Sequence, residues 1–265
     1  MSKMPTLFVS HGGPNVVTDP SPAHDFLRGL SGFVPKPDAI VIASAHFEAP
    51  GPSVMRGAAP DMIYDFGGFA PELYQMIYPA PGHPALADKV TKLLQTAGFE
   101  PNAVDQRGYD HGMWNPLILA FPEADIPVVG LSTDPSQDAA WHLRAGRALA
   151  PLREENVLVI GSGHITHNLR EVIGLMRGKP ATPEFGQKVS AFTAWFHGAL
   201  TEGDARALAA WKSEAPHVTD NHPTDEHLLP IFTAFGAAGE GATGERIHDS
   251  TEFDGVFAWD AYRFA

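Results

Sequence analysis

The sequence predicts an α/β fold, a single-domain α/β/α sandwich with a central mixed sheet spanning residues 1–265. Three observations carry this. Four short runs rich in valine and isoleucine, each bounded by Gly, Pro or Asp, read as buried strands. Helical patterns separate them, and that alternation is the mark of a sheet covered by helices on both faces. No Ser/Gly linker, low-complexity tract or internal repeat divides the chain, so one catalytic domain is the economical reading.

The elements follow in order. "TLFVS" (6–10) and "AIVIASAHF" (39–47) are the first two strands. Residues 58–84, "AAPDMIYDFGGFAPELYQMIYPAPGHP", are crowded with Tyr, Phe, Gly and Pro and hold no sustained period, which predicts a long structured loop of the kind that often carries function. "ALADKVTKLLQTAG" (85–98) reads as a helix, "IPVVGLST" (126–133) as the third strand, and "SQDAAWHLRAGRALAPLREE" (136–155) as a helix capped by Ser136. "NVLVIGSGH" (156–164) is the fourth strand. Residues 182–200 and 226–239 read as helical, and the aromatic segment "FDGVFAWDAYRF" (253–264) as a returning edge strand.

Composition narrows the function classes. Of 265 residues 44% are apolar, enough for a sizeable core. With 31 acidic against 18 basic side chains the net charge is −13, which disfavours nucleic acid and anionic membranes and favours a small-molecule partner. Cysteine is absent, so disulfides and thiolate metal sites are excluded and a metal would need histidine and carboxylate ligands. A basic segment followed by a long apolar one is missing, as is any run of about 18 apolar residues, so the expected location is cytoplasmic. Monomer or homodimer is the default assembly.

The chemistry lies in the histidines. The first strand ends abruptly at His11 in "SHGGP", where two glycines would keep the space before the ring open. His46 in "SAHFE" and His164 and His167 in "GSGHITHN" also follow strands, while His111 lies in "DHGMWNP" and His222 and His227 in "NHPTDEHLLP". Ligands of open α/β sheets bind beyond the carboxyl ends of the strands, so these rings should converge on one rim. A single histidine at a strand end is more often a hydrogen-bonded structural residue; several such segments together favour a metal site. His24, His83, His142, His197, His217 and His248 read as surface residues. Tyr64, Phe66 and Phe69 fit a satellite core and a substrate-pocket wall equally well. The glycine-rich "GSGHIT" lacks P-loop spacing, and no Gly-x-Ser-x-Gly elbow supports a serine hydrolase. A zinc-dependent hydrolase and a non-catalytic metal-binding protein on the same scaffold stay open at this level.

Six motifs, "HGGP", "SAHFE", "YDFGGF…ELYQMIYPAPG", "DHGMWNPL", "GSGHITHNLR" and "HPTDEHLLPIF", run in the order of the class III extradiol aromatic ring-cleaving dioxygenases. The chain most resembles their DOPA 4,5-dioxygenase branch, from about Pro5 to Phe232. That resemblance implies an enzyme opening a catechol-type ring with O2 at a mononuclear non-haem Fe(II) centre, giving a muconic semialdehyde-type product, with zinc as an alternative occupant in the isolated protein. It implies His11, His46 and His227 as metal ligands, with Glu226 as the carboxylate alternative. His167 becomes the acid/base and a less certain fourth ligand. His111 becomes a residue near substrate, donating to oxygen or a hydroxyl, while His164 has no fixed role. Tyr64, Phe66 and Trp114 are the expected substrate-binding walls, with Arg170 or Arg107 the expected partner of a substrate carboxylate. "YDFGGFA" replaces the more usual "YDFYGFP", which bears on substrate size.

Overall fold

The computed structural model describes residues 3–180 and 182–265. Ten strands occur among them: β1 (Thr6–Ser10), β2 (Ala39–Glu48), β3 (Ser53–Met55), β4 (Asn102–Val104), β5 (Val128–Thr133), β6 (Val157–Gly163), β7 (Gly244–His248), β8 (Thr251–Glu252), β9 (Phe257–Ala258) and β10 (Ala261–Phe264). The helices are α1 (Pro22–Gly29), α2 (Pro84–Thr96), α3 (His111–Ala120), α4 (Ala139–Leu149), α5 (Leu169–Met176), α6 (Pro183–Thr201), α7 (Ala205–Ala209), α8 (Trp211–Glu214), α9 (Val218–Asn221) and α10 (Leu229–Ala237).

Eight strands form one sheet in the order β4-β3-β5-β2-β6-β1-β10-β7, and β8 pairs with β9 separately. The central four are mutually parallel, whereas β3 and β10 join antiparallel. The sheet is therefore mixed, as the sequence predicts. Alternation along the strands shows why it is a sandwich. Leu7, Val9, Ile40, Ile42, Leu158 and Ile160 pack with α1 and α3 on one face. Phe8, Val41, Ala43 and Val159 point the other way, toward α10, α4 and α2. Strands buried on both faces read as continuous apolar runs, which is what made these four legible.

Three expectations are corrected. Asp138, not Ser136, caps α4, accepting from the Trp141 N–H at 2.8 Å; the Ser136 hydroxyl donates instead to Asp134 at 2.6 Å. The final aromatic strand is internal. β10 lies between β1 and β7, its Ala261, Tyr262 and Phe264 all buried, and the polar "GERIH" of β7 takes the edge, where charged side chains can stay in water. His142 is fully buried rather than exposed: its Nδ1 donates to the Asp138 carbonyl at 2.8 Å and its Nε2 accepts from the Asp134 N–H at 3.2 Å. No helix among the described residues is long and apolar enough to cross a membrane.

Candidate metal centre and active site

Each converging histidine has its own local cause. His11 follows the last residue of β1, and its backbone N–H donates to the Gly163 carbonyl at 2.9 Å, extending the parallel ladder with β6 by one rung. His46 lies where β2 leaves its ladder with β5. Ser44 pairs with Ser132 and Glu48 with Thr133, so the residues between them bulge and His46 is turned toward the rim. His227 arrives from the C-terminal half, on the turn before α10, and its carbonyl accepts from the His164 N–H at 2.8 Å. A Cβ on Gly163 would sit 2.0 Å from that carbonyl oxygen, so only glycine at the end of β6 lets the His227 turn dock.

The glycines beside His11 act differently from expectation. Gly12 has φ +61°, and a Cβ there would lie 1.8 Å from the Trp259 ring, so its bareness seats Trp259 rather than opening space before the imidazole. Gly13 does border the cavity. The Asn115 side-chain amide of α3 reaches the carbonyls of His11, Gly12 and Gly13 at 3.1–3.4 Å and fixes the loop between them.

Nε2 of His46 lies 3.1 Å from Nε2 of His11 and 3.2 Å from Nε2 of His227, and the three atoms fall within 4.8 Å of one another. What the other ring nitrogens do decides how to read this. His11 Nδ1 is 3.0 Å from Ser162 Oγ, whose own proton goes to the Gly112 carbonyl, so the hydroxyl accepts from the ring. His46 Nδ1 meets Asp65 Oδ2 at 3.1 Å, and His227 Nδ1 meets Glu226 Oε1 at 3.0 Å. With each Nδ1 holding the proton, every Nε2 presents a lone pair, and three lone pairs cannot hydrogen-bond one another. Burial and the neighbouring imidazoles hold the pKa values of His11 and His227 well below the ordinary range, so both stay neutral. A divalent cation fits this donor set: two nitrogens cis on an octahedral ion at about 2.1 Å lie about 3.0 Å apart, against about 3.4 Å on a tetrahedral one.

The rest of the predicted set divides. His111, the first residue of α3, packs 3.9 Å from the His46 ring and holds Asp65 Oδ1 through Nδ1 at 2.8 Å. His167 stacks on His227 at 3.4 Å, with Nδ1 3.6 Å from Glu226. His164 stacks on Phe257 at 4.0 Å, and burial lowers its pKa far below the usual value. All border one cavity of about 270 Å³, together with Phe66, Phe69, Leu169 and Phe257. Tyr64 and Trp114 do not reach it. Tyr64 donates its hydroxyl to the Met76 carbonyl at 2.7 Å and Trp114 its indole N–H to the Ile63 carbonyl at 3.3 Å, both standing behind Phe66. Arg170 is exposed and lies outside the lining. Arg107 is committed elsewhere, to the buried Asp110 at 2.6 Å and the His46 carbonyl at 3.1 Å. Glu226, the carboxylate alternative, serves as the Nδ1 partner of His227.

Sequence reasoning missed Asp65, Ser162 and Asn115, the residues that orient rather than ligate. Their signal was present in "YDFGGF", "GSGH" and "HGMWNP", but each is polar and isolated, and only the fold brings it to a ring nitrogen or a loop carbonyl.

Comparison with known proteins decides the family. The pattern described as the catalytic LigB subunit of aromatic ring-opening dioxygenase matches residues 3–265. The chain belongs to this family. LigB-family extradiol dioxygenases are metal-dependent, and the His-rich site is where this member could bind its metal. The chain is 41% identical to a 4,5-DOPA dioxygenase extradiol of Beta vulgaris over 98% of its own length and 96% of the relative's. It is 39% identical to the protein of that name in Escherichia coli K12, covering 89% and 86%. A crystal structure of an uncharacterised Escherichia coli K12 protein shares the fold with a TM-score of 0.79 and 32% identity, covering 98% of this chain and 99% of that one. This LigB-family chain is an extradiol ring-opening dioxygenase acting on a small molecule and O2.

Proposed function

We propose that this dioxygenase opens a catechol-type ring at a mononuclear non-haem Fe(II) centre held by His11, His46 and His227, releasing a muconic semialdehyde-type product. The supporting observation is the spacing of the three bare Nε2 atoms, 3.1 and 3.2 Å, nearer the cis positions of an octahedral ion than those of a tetrahedral one. Iron bound there would supply adjacent positions for both catechol oxygens and for O2, and a route for electrons between them. Three neutral imidazoles leave the ion's charge undiminished, which favours the deprotonated catechol.

The protein's own groups handle the protons. His167 is the acid/base: with Glu226 3.6 Å from Nδ1, a proton gained at Nε2 leaves an imidazolium that the carboxylate stabilises, and the ring can return that proton later. It is not among the three rings whose nitrogens gather together, which favours this role over a fourth ligand. Because His111 Nδ1 is held by Asp65 and burial lowers its pKa, the neutral ring offers a bare Nε2 and accepts from a substrate hydroxyl rather than donating. Phe66, Phe69 and Phe257 provide apolar surfaces for an aromatic ring. Relatives named for a catechol amino acid support the substrate class.

The test is oxygen uptake by anaerobically Fe(II)-loaded protein given a panel of catechols, with the visible spectrum followed. Uptake with a yellow ring-opened product is expected; iron-loaded protein that consumes no oxygen with any of them would refute the reading.

A further inference from the structure

The metal-lined cavity does not end at the aromatic wall. A second cavity of about 390 Å³ shares Gly13, Phe69, Leu169 and Phe257 with it and continues outward to the surface. One side of this groove is a single helix stripe. α5 presents Leu169, Val172, Ile173 and Met176, the i, i+3, i+4, i+7 spacing of one helical face, and that face lies along the groove instead of against the core. Leu169 is 46% exposed, Ile173 42% and Met176 69%, a run of apolar surface that a solvated face would not ordinarily carry. Phe253 and Trp259 form the opposite side.

The charges are as informative as the apolar groups. Neither cavity is bordered by a lysine or an arginine. Asp19 and Glu252 are the charged residues of the groove, and both are acidic. Arg107 and Arg170, the two cations near enough in sequence to have met a carboxylate, are respectively tied to Asp110 and exposed outside the lining. A substrate bearing a carboxylate on its side chain would find no partner here and would meet two like charges.

We propose that the groove is a substrate subsite, and that the physiological substrate is a catechol bearing an extended apolar substituent without a carboxylate, its ring at the three histidines and its substituent along the α5 stripe. This rests on the catechol reading of the metal site. The occupant is the substrate because the groove is continuous with the cavity through four shared residues and lies just beyond the wall that would hold the ring.

The experiment is calorimetry under argon on metal-loaded protein with three ligands: catechol, para-hexylcatechol and dihydrocaffeate, whose side chain ends in a carboxylate. The alkyl chain should tighten binding about ten-fold or more over catechol, and dihydrocaffeate should bind no better than catechol. In the double variant Ile173→Glu, Met176→Glu, whose changes lie at exposed positions, the ratio of the hexylcatechol and catechol affinities should fall to about one. Equal affinities in the wild type, a preference for dihydrocaffeate, or a gain that survives the double variant would overturn the proposal. So would a wild-type dimer, seen by sedimentation, that the double variant dissociates while hexylcatechol gains nothing, since the groove would then be covered by a second copy. Oxygen uptake on catechol itself reports separately on the metal-site chemistry, so the two readings fail independently.

Discussion

Asp65 Oδ2 lies 3.1 Å from His46 Nδ1, and the same carboxylate holds His111 Nδ1 through its other oxygen at 2.8 Å. One side chain, supplied by the long loop after β3, thus sets the tautomer of a metal-site ring and of a substrate-facing ring together. Hydrogen bonds of this kind fix ligand orientation and raise basicity. Asp65→Asn should therefore weaken metal binding about 10- to 100-fold while leaving the melting temperature nearly unchanged. Metal titration of the apoprotein checks this; unaltered affinity would show that the carboxylate does not orient the ring.

His11→Ala, His46→Ala and His227→Ala should each lose the metal, because two nitrogens do not hold the ion the three can hold. His167→Ala should retain it and lose turnover by about 10²- to 10⁴-fold, the usual contribution of a positioned acid/base. Metal analysis beside oxygen uptake separates the cases, and an empty site in His167→Ala would make that residue a ligand.

Gly163→Ala places a methyl group 2.0 Å from the His227 carbonyl oxygen. Since both atoms belong to backbone, the His227 turn must move. The expected result is a destabilisation of about 1–3 kcal/mol with a loss of metal affinity, read by chemical denaturation and metal titration. Gly12→Ala, which meets Trp259 and requires φ +61°, should destabilise comparably.

Burial lowers the pKa of His142 and of His222 to about 4, from an ordinary 6.5. Both are held neutral, so their stabilisation is complete above pH 6.5 and is lost as pH falls toward 4, where the unfolded chain gains protons no longer excluded by the fold. Each should contribute about 3 kcal/mol to that loss. Denaturant melts between pH 7 and 4 are the check, and the curve of His142→Gln should be flatter than that of the wild type.

The central strands and the rim they build were legible in the sequence because parallel strands buried on both faces leave continuous Val/Ile runs, and a histidine closing such a run is placed by the strand itself. His11 and His46 could be located this way. His227 could not, since nothing local ties the turn before α10 to β6; that contact exists because Gly163 is bare. Asp65 was hidden in an aperiodic loop, and Ser162 looked like part of a glycine-rich turn. The aromatic C-terminal strand was read as an edge because edge and interior positions differ in what lies beside them, and its neighbour β7 carried too few apolar residues to announce itself. Trp114 and Tyr64 were taken as walls on aromatic character alone, and the fold uses their polar atoms to brace the loop behind Phe66.

The most direct measurement compares the protein loaded anaerobically with Fe(II) and with Zn(II), each at one ion per chain, for oxygen consumption on the best catechol of the panel. The three-histidine centre proposed here predicts sustained uptake with iron, none with zinc, and none with iron offered to His227→Ala. Equal behaviour of the two metals, or undiminished uptake in His227→Ala, would contradict it.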